Sequence, residues 1–169
     1  DGSAVQVPTL IEANGSGAIT ATHTYADDGV YTVTVTVTDD DGGFHTQQFQ
    51  VTVANVDPTL SVTPSPSAIN EGGSVNFNAS FTDPGFDNPL NPNGASLESF
   101  TYDIDWGDGR DAVTGQTIAD TNGAPGTPST GMFNGSHTYA DDGIYTVTVT
   151  IHDGEITVCE LVDAIAANE

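Results

Sequence analysis

The stretch HTYADDGVYTVTVT at residues 23–36 returns as HTYADDGIYTVTVT at residues 137–150, and the only difference is Val30 against Ile144. So long a near-identity at a fixed separation predicts two copies of one domain. Tyr and Val alternate with Thr in each copy, in the first from Tyr31 to Thr38. Period-two alternation with many β-branched residues predicts a strand that buries one face. The fold is therefore expected to be built around two such strands.

An Asp-x-Gly-x-Tyr sequence leads into both of these strands. Its residues are Asp27, Gly29, Tyr31, Asp141, Gly143 and Tyr145. The pattern resembles the tyrosine corner of immunoglobulin-type sandwiches, in which the tyrosine hydroxyl bonds to backbone a few residues upstream. Glycine suits the turn because it adopts positive φ without steric cost. The alternative is an ordinary buried tyrosine on a strand.

A second motif, YDIDWGDG, precedes the second copy of the repeat. It comprises the core signature residues Tyr102, Ile104, Trp106, Gly107, Asp108 and Gly109 together with two aspartates. The motif resembles the Y-x-W-D-F-G-D-G signature of PKD (polycystic kidney disease) domains, and the H-T-Y…G-x-Y-x-V-x-V pattern that follows is similar to that family's next motif. Here Ile104 replaces the usual tryptophan and Trp106 the usual phenylalanine, which keeps an aromatic on the same strand face. The resemblance implies a seven-strand, extracellular β-sandwich of immunoglobulin type that usually occurs in tandem.

The predicted fold class is all-β, with tandem immunoglobulin-like, PKD-type sandwiches of which the first is incomplete. Asp1-Gly2 matches Asp108-Gly109, so residues 1–57 correspond to the C-terminal half of a domain and residues 58–169 to a complete one. The missing strands would come from upstream sequence or from a neighbouring chain, the latter giving a filament by strand addition. Pro58 makes the linker 54–58 short and stiff.

Hydrophobic alternation and turn residues also predict the individual strands. These are a weak strand before the Asn14-Gly15-Ser16 loop, then Ala18–Thr24, Tyr31–Thr38, Phe44–Val53, Thr59–Thr63, Ser74–Phe81, Glu98–Trp106, the second corner strand and Ile156–Ile165. The stretch from Thr114 to Gly135 is expected to be rich in loop.

The charge balance excludes several classes of partner. One basic residue stands against 24 acidic ones, for a net charge of −23. Nucleic acid binding needs cationic neutralisation of phosphates, so it is excluded, and an anionic membrane surface would repel the chain. Membrane insertion is not expected either, because no stretch approaches the roughly 20 apolar residues of a membrane helix. The expected partners are neighbouring repeats or subunits of the same protein, and surface polysaccharide or protein.

Most of the acids are aspartates in turns, which leaves two explanations open. One is Ca²⁺ binding, because hard cations prefer clustered oxygen ligands. The other is a solvated acidic surface, as in a chain that works in high salt. Sandwich topology would bring a set of oxygens to the junction of the two domains, as in the calcium-rigidified junctions of cadherin-like arrays. The candidate calcium ligands are Asp27, Asp28, Asn55, Asp57, Asp83, Asp87 and Asp153.

Catalysis is not expected. Asp103 and Asp105 share a strand face, but a filled sandwich offers no cleft for a carboxylate pair. His23 and His137 belong to the repeat and are expected to make structural hydrogen bonds. Zinc is poorly supported, because the remaining histidines have no cysteine partner.

The expected function is a non-catalytic structural or adhesive repeat module of a long secreted or cell-surface prokaryotic protein. It would serve as a spacer, stalk, surface-layer unit or filament unit, and its location is extracellular or at the cell surface. The alternative is a carbohydrate- or protein-binding accessory module of a secreted hydrolase. That alternative requires an exposed aromatic platform, for which the candidates are Tyr25, Tyr102, Phe133 and Tyr139.

Overall fold

A computed structural model describes residues 1–65, 68–92, 94–154 and 157–168, and its regular elements are β-strands. The all-β prediction is confirmed. Contacts divide the chain into two compact units. Unit 1 comprises Asp1–Asn55 with Asp87–Ser96, and unit 2 comprises Val56–Phe86 with Leu97–Glu169. The division thus falls two residues before the predicted 57/58 boundary and places one loop of the second copy with unit 1.

Unit 1 consists of two antiparallel hairpins. Its strands are β1 (Thr9–Ala13), β2 (Ser16–Thr20), β3 (Gly29–Thr38) and β4 (Phe44–Val53). β1 and β2 are joined by Asn14-Gly15, whose φ angles of 56° and 78° are both positive. A two-residue turn with positive φ at both positions matches the twist of paired strands, and Asn-Gly is a favoured sequence for it.

The second hairpin of unit 1 joins β3 and β4. The strands pair along their whole length, from Gly29 opposite Val53 to Thr38 opposite Phe44. Tyr31 is buried, while the threonines of β3 point to the exposed face. The side chain of Asp39 closes the turn by accepting a hydrogen bond from the Gly43 N–H at 2.6 Å.

Unit 2 is a sandwich of two sheets. Its strands are β5 (Thr59–Ser65), β6 (Ala68–Asn70), β7 (Ser74–Asp83), β8 (Thr101–Asp105), β9 (Val113–Thr117), β10 (Asp120–Thr121), β11 (Ser129–Thr138), β12 (Gly143–His152) and β13 (Thr157–Asn168). One sheet has the order β10-β11-β7-β5 and the other the order β6-β13-β12-β8-β9. Neighbouring strands are antiparallel except for β6 and β13, which run parallel. Ile156, the first residue of the predicted last strand, lies outside the described residues.

The core lies between the two sheets and follows from period-two alternation. Every second residue of β7 is buried. The main contributors are Val75, Phe77, Phe81, Phe100, Ile104, Trp106, Tyr139, Val147, Val149 and Ile151.

The expectation of a loop-rich stretch from Thr114 to Gly135 was wrong, because β9, β10 and most of β11 lie there. Gly131 and Gly135 of β11 occupy core-facing positions, and a Cβ on either would collide with the ring of Phe81 or Phe77. Rings from the neighbouring strand β7 therefore fill the space above the glycines. The strand lacks an apolar alternation because its partner provides the apolar surface.

Candidate functional site

The corner of unit 1 is closed by the hydroxyl of Tyr31. This group donates to the backbone carbonyls of Asp27 at 2.9 Å and Asp28 at 3.0 Å. Gly29, with φ of 136°, lies in a region that favours glycine. Burial raises the pKa of Tyr31, and the nearby carboxylates of Asp27 and Asp28 add to this effect. The hydroxyl therefore stays neutral and acts as a donor.

The corner of unit 2 has the same partners but longer contacts. The hydroxyl of Tyr145 lies 3.2 Å from the carbonyl oxygen of Asp141 and 3.4 Å from that of Asp142. Gly143 has φ of 159°, which is close to fully extended. Because these contacts are long and solvent-exposed, they stabilise the corner less than those of Tyr31.

A second tyrosine hydroxyl holds the signature segment of unit 2. Tyr139 is fully buried and donates to the carbonyl oxygen of Trp106 at 2.8 Å. Its ring stacks on Tyr145 with centroids 4.3 Å apart. Burial raises the pKa of Tyr139 to about 12, and the charge of Asp108 adds to the rise. Sequence reasoning missed this contact, although the H-T-Y of both copies was a signal.

His137 links the same segment to Asp108-Gly109, which ends the motif. Its ring stacks on Trp106 with centroids 5.0 Å apart, and its Nε2 lies 2.8 Å from Oδ2 of Asp108. Burial by itself would raise the pKa of Asp108. Hydrogen bonds from the His137 ring and from the Arg110 backbone N–H outweigh burial, so the pKa lies below its ordinary value. In unit 1, His23 Nε2 makes the equivalent contact with Asp1 Oδ2 at 2.5 Å.

The remaining signature residues are held in position by packing in or against the core. Ile104 and Trp106 are buried, and Tyr102 is half-buried. Gly107 has φ of 78°, and a Cβ there would collide with the backbone of Thr146. The motif therefore needs glycine at this position both for its conformation and for its close approach to the backbone of β12.

Asp103, on the other face of β8, links this strand to its two neighbours β9 and β12. Its Oδ1 accepts the Gly115 N–H at 2.6 Å, and its Oδ2 lies 3.0 Å from Nε2 of His152. These two hydrogen bonds lower the pKa of Asp103, that from Gly115 most. The role that the geometry gives Asp103 is to hold β9 and β12 against β8 where the β8–β9 pairing shifts register.

The rings proposed as an exposed aromatic platform are stacked on other rings of the protein. Tyr102 stacks on Phe133 at 4.2 Å, and Tyr25 stacks on Tyr31 at 4.4 Å. Tyr139, as described above, is fully buried. Each of these rings therefore has a protein ring over one face.

The predicted calcium ligands are divided between the two units. Unit 1 holds Asp27, Asp28, Asn55 and Asp87, and unit 2 holds Asp57, Asp83 and Asp153. Asp83 is buried at the end of β7, where its Oδ1 accepts the Gly85 N–H at 2.6 Å. Within the described ranges, no group of three or more His, Cys, Asp or Glu side chains is arranged to hold a metal ion. Calcium binding stays a prediction.

Two sheets packed on one core and a tyrosine-closed corner define an immunoglobulin-like β-sandwich module. A family model described as PKD domain matches residues 12–53, which confirms the resemblance over this part of the chain. PKD domains are in general non-catalytic extracellular modules. No curated protein matches the chain. The described residues contain no helix long and apolar enough to cross a membrane.

Proposed function

We propose that this chain is a structural module of a long secreted or cell-surface protein, where it acts as a spacer or stalk among neighbouring repeats. The PKD match supports a non-catalytic extracellular module of this kind. The near-identical residues 23–36 and 137–150 support repeated use of one unit. The hydrogen bonds of the motif side chains also fit a structural role. They hold turns and strands in place, and they involve Asp103, Asp108, His137 and Tyr139.

The parallel pairing of β6 with β13 is the observation that carries this proposal. Ala68 lies opposite Ala166, and Asn70 lies opposite Asn168. β6 follows the first strand of unit 2, and β13 is its last strand. Once β5 has separated from β7, tension on the two ends of the unit pulls these parallel neighbours in opposite directions along their own axes. Their hydrogen bonds are then loaded together in shear, whereas an antiparallel pair pulled from its open end breaks its bonds one after another.

A load-bearing spacer should unfold at a higher force when pulled through its ends than when one of its hairpins is unzipped. Single-molecule pulling compares the two directions in the same protein. Equal forces in both directions would speak against the proposal.

An accessory binding module is the second candidate, and the exposed Phe44 and Phe49 of β4 are the observation in its favour. Phe49 lies opposite Val33 and Phe44 opposite Thr38, so the two rings project from opposite faces of the hairpin and form no single platform. Co-sedimentation with insoluble polysaccharides distinguishes the candidates. Retention that Phe44→Ala abolishes would favour the binding module, and a spacer should not be retained.

We further propose that Ca²⁺ stabilises the module. The net charge of −23 supports cation binding, as do acids at strand ends such as Asp83 and Asp153. The expected result is that millimolar CaCl₂ raises the melting temperature of the full chain more than NaCl of equal ionic strength does, and that EGTA reverses the rise. Asp87→Asn and Asp153→Asn should reduce the calcium effect. Equal effects of the two salts would instead identify a solvated acidic surface.

A further inference from the structure

The outer face of the sheet β10-β11-β7-β5 carries only uncharged side chains in its described part. This polar face consists of the residues that alternate along the strands with those facing the core. All of its described members are exposed, and they are Thr59, Ser61, Thr63, Ser74, Asn76, Asn78, Ser80, Thr82, Thr121, Thr130, Met132, Asn134, Ser136 and Thr138. The chain has 24 acidic residues, and the outer face of the other sheet does carry acids, since β8 places Asp103 and Asp105 there. The polar face therefore favours a neutral partner over a charged one.

Two Asn-x-Ser sequences lie side by side on the polar face. Asn78-Ala79-Ser80 belongs to β7 and Asn134-Gly135-Ser136 to β11, and the register places Asn78 directly opposite Asn134. In each sequence the middle residue points towards the core, while the asparagine and the serine point outward. Asn-x-Ser is an acceptor sequence for N-linked glycosylation in secreted proteins. A sugar on either asparagine would project into solvent and leave the core unchanged.

Met132 is the one described apolar side chain on the polar face, and it is 79 % exposed. It lies opposite Ser80 and two residues before Asn134 on the same face of β11. Directly opposite Cβ atoms of antiparallel strands lie about 5 Å apart and diagonal ones about 7–8 Å apart, so a sugar on Asn78 or on Asn134 would reach this methionine. The C–H surface of the sugar ring would cover its apolar side chain.

The polar face also gives glycosylation a physical use. Sheet faces of uncharged side chains can stack on one another when two copies meet. Bulky hydrophilic sugars prevent such stacking and keep a secreted chain soluble.

We propose that Asn78 and Asn134 are sites of N-linked glycosylation and that the attached sugars cover the polar face. The donor is an oligosaccharide joined through a diphosphate to a polyprenyl lipid. Nδ2 of the asparagine attacks C1 of the first sugar, so an Nδ2–C1 bond forms and the bond from C1 to the diphosphate oxygen breaks. The polyprenyl diphosphate leaves with the electron pair, and the amide nitrogen loses one proton to a base of the transferring enzyme.

This inference rests on the proposed function, because the acceptor sequence is used in secreted proteins. The test therefore uses chain recovered from the surface or the medium of the cells that produce it. Chain recovered there with unmodified asparagines would overturn the inference alone. Chain found only inside the cells would count against both the inference and the proposed function.

The experiment digests the recovered chain with a protease that cuts before aspartate. Fragments 1–26, 57–82 and 120–140 then each contain one Asn-x-Ser sequence, so the sites at Asn14, Asn78 and Asn134 are read separately. Mass spectrometry with fragmentation that keeps sugars attached locates each added mass. The expected result is sugar on Asn78 and on Asn134, with Asn76 unmodified, because Asn76 lies on the same face outside any acceptor sequence.

Ser80→Ala and Ser136→Ala are the matched variants, made in the same cells. Each keeps its asparagine and removes the hydroxyl that the acceptor sequence requires. Each should remove the sugar of its own strand and leave the other in place. Because both serines are exposed, the melting temperature should not fall, which separates loss of the acceptor from loss of the fold.

Oxidation of Met132 by dilute peroxide reports whether the sugars cover the polar face, because it is the only methionine and lies within fragment 120–140. The glycosylated chain should oxidise at least about threefold more slowly than the Ser80→Ala, Ser136→Ala double variant. Unmodified Asn78 and Asn134 would overturn the proposal, as would sugar confined to Asn14. So would equal protection of Met132 in the double variant at high protein concentration, because a second copy would then be the cover.

Discussion

Removal of the Tyr139 hydroxyl should destabilise unit 2 more than removal of the corner hydroxyl of Tyr145. In Tyr139→Phe the ring can keep its stacking position, so the change isolates one hydrogen bond of 2.8 Å. The carbonyl of Trp106, in a residue 2 % exposed, would be left buried without this donor. A net hydrogen bond contributes about 1 kcal/mol, and a buried acceptor left unsatisfied costs about 1–3 kcal/mol, so we expect a loss of about 2 kcal/mol. Tyr145→Phe removes two long, exposed contacts that water can replace and should cost less than about 1 kcal/mol.

Urea titration followed by tryptophan fluorescence measures this difference, because Trp106 is the only tryptophan and lies in the core of unit 2. With a slope of about 2 kcal/mol per molar urea, typical of small domains, Tyr139→Phe should lower the midpoint by about 1 M. The reasoning would be refuted if Tyr139→Phe moved the midpoint no further than Tyr145→Phe does.

Three further substitutions in unit 2 test other contacts, with the same fluorescence titration as the measurement. Gly135→Ala drives a Cβ into the ring of Phe77 and should cost about 1–3 kcal/mol, and no loss of stability would show that this ring can move aside. Ser129→Ala removes a fully buried hydroxyl that accepts from the Gly123 N–H at 2.9 Å and donates to the Gly85 carbonyl at 2.7 Å. It should cost about 1–3 kcal/mol, and an unchanged midpoint would contradict this bridging role. Asp108→Asn removes a carboxyl whose folded pKa is lowered, so its contribution is complete above the ordinary pKa of about 3.9 and is lost as pH falls through the folded value. The destabilisation by Asp108→Asn should therefore shrink in titrations below about pH 4, and a constant difference across pH would contradict its contact with His137.

The strands with strict alternation were predictable from the sequence. The prediction for Phe44–Val53 agrees with β4, and that for Tyr31–Thr38 lies within β3. In these strands the polarity of each residue indicates which face of the strand it occupies, because apolar and polar side chains alternate on the two faces. The predicted strand Ala18–Thr24 is observed as Ser16–Thr20, where the Asn-Gly turn fixes the pairing instead.

β11 could not be predicted in the same way. Its inward positions include glycines, whose space is filled by rings of β7 that lie some 50 residues earlier in the chain. β6 lies between the predicted strands Thr59–Thr63 and Ser74–Phe81, and it depends likewise on a distant strand, because its three residues pair with β13. In both cases the partner strand determines the structure, and local sequence carries little signal.

In the candidate site, too, the local contacts were predictable from the sequence and the long-range contacts were not. The tyrosine corner is local, because Tyr31 reaches only three and four residues back, and the Asp-x-Gly-x-Tyr spacing encodes it. The contact of Tyr139 with Trp106 spans 33 residues and that of His137 with Asp108 spans 29. Only the folded sandwich brings these pairs together, so the sequence indicated structural roles for the motif residues but not their partners.

The most direct test of the load-bearing role is single-molecule pulling of the full chain in two directions. One arm carries handles at the two chain ends, which loads β6 and β13 in shear. The other arm carries one handle at Asp142→Cys and one at the C-terminus, which unzips β12 from β13 beginning at Gly143 opposite Ala167. Both arms use Cys159→Ser, so that the two arms match and Asp142→Cys provides the only thiol in the second.

Load sharing between parallel strands predicts that unit 2 unfolds at several times higher force in the first arm than in the second. Trp106→Phe serves as a matched control that changes the core without touching the β6–β13 pairing, and it should preserve the ratio of the two forces. Equal unfolding forces in the two arms would contradict the proposal that this module bears tension.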